Sequence, residues 1–373
     1  MKLVHLTRLF LPLSAAVVCT GCLDSGGSGS DDTRIGRINY QGLSGLTYTT
    51  NSQSGETNEA GEFRYYPGET LSLKVGKLPV IDNVPAQDFV SFLDFQPELR
   101  EALKTASVND RGLKDHRPVE LNLLLNNTEL QNRTRFLLAL DWSGNVSEGE
   151  GIDIRPRVIE QLNAAINDPD IPDTLDFTVS AQDFSAADSP ANRILQSICF
   201  YPEDDRLCGA PPSPQEIEAA PSRPENDEDL DPNTPYYKED LQSLADRIRE
   251  AVRTLEDVDS EQAENYLERE LASISSHYGR RYYLEDYLAS HPASDTGIKT
   301  IEVRKIGGET ALAEIEAVST RPNDIAVHSW SWQTAEVEYY VAGNTGGESE
   351  IRINFRPEDT YRWITKDIRV IID

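Results

Sequence analysis

At 373 residues, with 64 acidic against 35 basic side chains and a formal net charge of −29, the chain is long enough for two or three domains of about 150 residues each. A field of that sign repels polyanions, which excludes nucleic acid as a partner and disfavours anionic membrane surfaces. Beyond the N-terminal leader no run of about 20 apolar residues occurs, so no later segment reads as a membrane-spanning helix.

The chain opens with Lys2 and Arg8, an apolar run from Leu9 to Val18, and small Thr20 and Gly21 ahead of Cys22. That run is too short to cross a bilayer and has the order of an export signal over residues 1–21. Gly21-Cys22 at its end resembles the lipobox of bacterial lipoproteins, with Cys19 standing where an aliphatic residue is usual. The resemblance implies cleavage before Cys22 and two or three acyl chains on it, enough to anchor a protein that one chain would hold only reversibly. Leu23 after that cysteine resembles lipoproteins forwarded to the outer membrane, which places the protein in the cell envelope, facing periplasm or cell surface. Residues 22–34 are rich in Gly, Ser and Asp and read as a flexible tether.

Residues 35–82 read as a small β module. Leu46 to Thr50 is β-branched and aromatic, Asn58 to Gly61 is a turn, and Leu71, Leu73 and Val75 alternate to one face. Gly55-Glu56-Thr57-Asn58, then Gly61-Glu62-Phe63 and Pro67-Gly68-Glu69, resembles a β module recurrent in bacterial surface and periplasmic lipoproteins, with Asn58 where relatives have Asp. A second stretch, Leu137-Leu138-Ala139-Leu140-Asp141 continuing to Gly151-Ile152-Asp153-Ile154, is similar to a helix, acidic glycine loop and Gly-Ile-x-Ile ending in the same family. Both lie within residues 35 to 160. The family is poorly characterised, and the resemblance implies an envelope role, with some relatives linked to transport or solvent tolerance.

Residues 83–208 read as mainly helical. Leu121, Leu124 and Leu125 share one face and are expected to bury a stripe. The loop from Asp141 to Asp153 crowds oxygen donors, and Asp141, Ser143, Asn145 and Asp153 are candidate calcium ligands, although Val146 and Ile152 stand where an EF-hand needs Gly and Glu. A solvated polar turn is the alternative. Cys199 and Cys208, separated by a segment with Pro202 and followed by Gly209, are expected to form a disulfide stabilising by about 2 to 3 kcal/mol, with metal binding the rival.

Residues 209–235, rich in Pro, Glu and Asp, read as a linker. Leu241, Leu244, Ile248, Val252 and Leu255, then Ala263, Leu267, Leu271 and Ile274, carry helical spacing, so 236–296 is expected to be a helical hairpin with Tyr278, Tyr282, Tyr283 and Tyr287 packed at its end. Residues 297–373 hold six strand-like segments separated by Gly- and Asn-rich turns, the pattern of a β-sandwich. Strict alternation would put His328, Trp330 and Trp332 on one face, as a core stripe or, if exposed, as a platform for sugar rings.

The fold class is therefore α+β: a small N-terminal β module, a helical middle and a C-terminal antiparallel sandwich-like domain. No Gly-x-Ser-x-Gly elbow, His-Glu-x-x-His or phosphate-cradling glycine loop occurs, and His116, His277, His291 and His328 are the histidines after the leader. The expected function is a lipid-anchored envelope protein acting as a binding or structural module toward envelope proteins or glycans, calcium being the candidate cofactor. An accessory subunit of a transport or assembly complex and a glycan or cell-wall hydrolase are the alternatives.

Overall fold

The computed structural model describes residues 33–146, 148–226, 230–232 and 234–373, and Thr33–Asp373 forms one compact unit. The leader, Cys22 and nearly all of the tether lie outside the described residues. Among the described residues no helix is long and apolar enough to cross a membrane.

The N-terminal part carries a three-stranded sheet in the order Glu62–Tyr65, Arg34–Ile38, Phe89–Val90, and a four-stranded antiparallel sheet of Ser54–Glu56, Thr47–Thr49, Thr70–Val75 and Leu78–Pro85. Leu71, Leu73 and Val75 are buried, as their alternation requires. The Asn58 side chain accepts the N–H of Ala60 and of Glu62, closing a turn that ends on left-handed Gly61. The β module and the end of the Asp141 loop meet in space: Leu43–Ser44 pairs in parallel with Ile152–Asp153, and Ile152 N–H donates to the Gly42 carbonyl. Glycine is needed at this seam, because Gly45 has φ +80° and a Cβ there would lie 2.0 Å from the Ile154 carbonyl oxygen.

The helices Pro97–Leu103, Arg117–Asn126, Thr128–Ala139 and Pro156–Ala165 form the middle. The expected hairpin is not built as read. Lys238–Glu250 packs on Pro214–Ala219, a helix inside the segment read as linker, and on the turn Arg206–Cys208. Ser260–Arg280 instead packs on Thr128–Ala139 and Arg117–Asn126.

Two four-stranded sheets make the C-terminal sandwich, and it begins before residue 297. One runs Tyr282–Leu284, Lys299–Lys305, Glu336–Val341, Ile325–Ser331; the other runs Leu288–His291, Ile364–Ile372, Glu348–Pro357, Leu312–Ser319. All pairings are antiparallel except that of Leu288–His291 with Ile364–Ile372. Tyr278 and Tyr282 are buried while Tyr287 is exposed.

One core joins the N-terminal sheets to the helices and a second fills the sandwich. The helix Ser260–Arg280 belongs to both, sending Leu267 and Leu271 into the first and Ile274 and Tyr278 into the second. Its i, i+4, i+7 spacing, legible in the sequence, is what lets one helix serve two cores in succession.

Candidate functional site

Between Arg117–Asn126, the C-terminal half of Ser260–Arg280 and the start of Ile364–Ile372 opens a groove of about 700 Å³. Leu124, Leu271, Trp363 and Ile364 make a buried apolar floor. The long helix borders the groove without filling it, because Ala272, Ser275, Ser276 and Gly279 recur three and four residues apart and present only small side chains. On the facing helix Leu124 is buried as expected, but Leu121 is 47% and Leu125 50% exposed, and Leu121 forms a wall of the groove. In the sequence these leucines read as a buried stripe; their helical spacing is the signal, and only the structure shows that Leu121 and Leu125 lack cover.

Between the lining residues Asp115 and Arg117 sits His116, which is 2% exposed. Its Nδ1 accepts the Trp363 backbone N–H at 3.0 Å, which puts the ring proton on Nε2, and Nε2 donates to Ser275 Oγ at 3.3 Å. Glu120 lies 3.9 Å from the same Nε2. Ser, His and Glu therefore meet, but in the wrong order for a nucleophilic triad. The base of a triad accepts the hydroxyl proton at a free nitrogen and is oriented through the other by its carboxylate, whereas here the nitrogen beside the hydroxyl already carries a proton. Burial, with Arg362 and Arg117 adding repulsion, lowers the His116 pKa to about 3.

Behind His116 the polar groups answer one another. Tyr361 Oη donates to Glu120 Oε1 at 2.6 Å, Arg362 stands 3.7 Å from that oxygen, and the Arg362 guanidinium stacks on the Tyr361 ring. Burial raises the Glu120 pKa against the lowering pull of Arg362. Only Glu120 of these three lines the groove. Sequence reasoning missed the cluster because its members come from three distant segments.

A second basin, of about 760 Å³, is lined by Arg34, Arg37, Arg281 and Lys305 with Glu62, Asp88 and Asp359. Arg37 pairs with Glu62 at 3.0 Å, and Arg281 with Asp88 and Lys305 with Asp359 at 3.8 Å each, so three of its four cations are answered within its own walls.

The Asp141 loop brings its expected residues together but turns them to other partners. Asp141 Oδ1 accepts the Asp153 N–H at 2.8 Å and Oδ2 accepts the Gly144 N–H at 3.1 Å, with Ser143 Oγ also donating to Oδ2. Asp153 accepts from Ser44 Oγ and Arg155 Nε, and Ser143 Oγ accepts the Asn145 N–H. Arg253 donates to the carbonyls of Ala139, Asp141 and Trp142 and stacks 3.5 Å from the Phe200 ring centre. The loop's oxygens thus face N–H and O–H donors and a resident guanidinium, which is the polar-turn alternative. Among the described residues no group of three or more His, Cys, Asp or Glu converges as a metal site. Cys199 and Cys208 are disulfide-bonded, with Cα atoms 5.4 Å apart.

Trp330 and Trp332 are 50% and 45% exposed, so they are not the core stripe. Trp330 lies on the outer strand of its sheet and Trp332 just past that strand's end, and a bulge between Val327 and Ser329 leaves His328 unpaired, sets Ser329 opposite Glu338 and Trp330 opposite Val337, and keeps the His328 ring against Tyr340 on the other face. The single face of His328, Trp330 and Trp332 is therefore broken.

No family model matches the chain, and no curated protein matches it. Among solved structures it is similar to the S-layer protein SbsC, domains 4 and 5, at 11% identity and a TM-score of 0.18, over 24% of this chain. The match spans half of that structure's chain, and a likeness so slight carries no argument about fold or function.

Proposed function

We propose that the chain is a lipid-anchored protein of the bacterial cell envelope whose folded body works by binding, with the groove between Arg117–Asn126 and Ser260–Arg280 as its site. The observation that carries the reading is the groove's construction. Ligand sites are commonly concave and mostly apolar, with a few convergent polar groups, and this one has a buried floor, an uncovered Leu121 and polar lining at Asp115, Arg117 and Ser275 beside the buried His116. His116, protonated on the nitrogen that faces Ser275, serves shape rather than proton transfer, which favours binding over a hydrolase. Cys22 with its preceding lipobox-like residues supports the anchor, and the outer membrane is its proposed address.

The exposed Trp330 and Trp332 favour a second contact. Flat aromatic rings at a sheet edge, with Ser329, Gln333 and Thr334 beside them, suit stacking on neutral glycan rings, and the bulge at His328 discourages pairing with another strand. A photo-reactive residue placed at Ala272 or at Trp332 of the full chain, irradiated in intact cells, tests both readings. Adducts are expected at 272 from a groove ligand and at 332 from glycan, relative to a control position at Asp110. Adducts at 272 no more abundant than at 110 sink the groove reading, and the same result at 332 sinks the glycan contact.

A further inference from the structure

The groove is apolar along its length but not at its end. Gly279, Arg280 and Lys366 line it near the end of the long helix, and Arg117 lines it from the start of the facing helix. Arg117 lies toward that half of the groove, since its neighbour His116 touches Ser275, five residues before Arg280. Glu268 lines the opposite end, roughly 18 Å back along the helix axis at 1.5 Å per residue. Asp115 is the acid beside the three cations, and one of its oxygens accepts the backbone N–H of Arg117. Glu120, also in the lining, is answered from behind by Arg362 and Tyr361.

Among the described residues neither Arg117, Arg280 nor Lys366 forms an ion pair, in a chain with 64 acidic side chains. Lys366 spends one N–H on the Gly279 carbonyl, a common use of a cation at a helix C-terminus. That accounts for one of its three donors and for neither arginine. No acid is close enough to act on Lys366, and burial alone lowers its pKa, so an anion arriving beside it would relieve a cost already present. Arg117, at the first turn of its helix, is where a cation is disfavoured by the helix dipole. The overall −29 does not forbid an anion at this spot, because charges farther than about 8 Å are screened at physiological salt.

Resting on the groove being a binding site, we infer that its ligand is an anionic amphiphile with a single apolar chain: a carboxylate or phosphate head at Arg117, Arg280 and Lys366, and the chain laid along Leu121, Leu124, Leu271 and Ala272. A free anion would leave the apolar floor uncovered, and a neutral chain would leave the exposed Arg117 and Arg280 to solvent and the half-buried Lys366 without a counter-ion. The volume, about 700 Å³, lies within the range of small-molecule sites, roughly 300 to 1,000 Å³.

Equilibrium titration of the purified full chain with hexadecanoate and hexadecyl phosphate, each below its aggregation limit, tests this against hexadecanol and inorganic phosphate. One site per chain is expected for both charged chains, weakening with salt; hexadecanol should bind about tenfold or more weakly and inorganic phosphate without saturation. The triple variant R117Q/R280Q/K366Q should lose about tenfold for the charged chains and nothing for hexadecanol. Ala272→Trp, on an exposed helix position, should block every chain. Equal affinity for hexadecanol and no effect of the triple variant would overturn the charged-head inference while leaving the groove reading in place. Chains that bind undiminished by Ala272→Trp, binding of none of them, or binding only of an acidic amphipathic peptide would overturn the amphiphile itself; adducts at position 272 in intact cells then decide whether the groove reading falls with it.

Discussion

His116 is a titratable group placed where its charge is penalised. Its folded pKa of about 3 lies below the ordinary 6.5, so the unfolded chain binds the proton more readily. The stability this neutral ring contributes is fully present above pH 6.5 and is lost as pH falls from there toward 3. Glu120 and Glu270 act in the opposite sense. Burial raises both, so their contribution is complete below the ordinary 4.5 and is lost as pH rises through their folded values. Glu270 is held in place all the same, accepting the backbone N–H groups of Tyr40 and Gln41 at 2.6 and 2.9 Å. Denaturant unfolding of His116→Asn should therefore lose about 2 to 3 kcal/mol less than the parent between pH 6.5 and 4.5. Parallel pH profiles for the two proteins would contradict the buried neutral ring. None of this was legible in the sequence, because His116 meets Ser275 and Trp363 across separations of 159 and 247 residues.

At the scale of elements, local pattern was readable and choice of partner was not. The alternation of Leu71, Leu73 and Val75 and the spacing of Ala263, Leu267, Leu271 and Ile274 both ended in burial. Lys238–Glu250 also formed, yet its neighbour is the region around the disulfide rather than the next helix, since its own apolar spacing names no partner. The Trp segment failed for a different reason: a one-residue bulge reverses every later side chain, and nothing in Ala326 to Trp332 announces it. In the Asp141 loop the oxygens that composition offers to a cation face N–H and O–H donors. Arg253, 112 residues away from Asp141, ties the end of Thr128–Ala139 to this loop and to Phe200. Gly144 makes room for it, with φ +74° and a Cβ that would stand 2.6 Å from Arg253 Nη2. Arg253→Ala should cost roughly 2 to 4 kcal/mol by stranding the carbonyls it serves, and Gly144→Ala should also destabilise. Calcium should leave the melting temperature of the parent unchanged, and a rise reversed by chelator would show that the loop holds the ion after all.

For the whole molecule, the α+β class and the succession of β, helical and β regions could be read, and the joining of those regions could not. The long helix crosses from one core to the other, and the surface left between its small-residue face and the exposed leucines is the groove. That the body works by occupying this groove is best tested by native mass spectrometry of the full chain gently extracted from the envelope in which it is made. The parent should carry a non-covalent mass that is missing from Ala272→Trp and retained when Trp330 and Trp332 are both replaced by Ala. Identical spectra for the parent and Ala272→Trp would contradict the account.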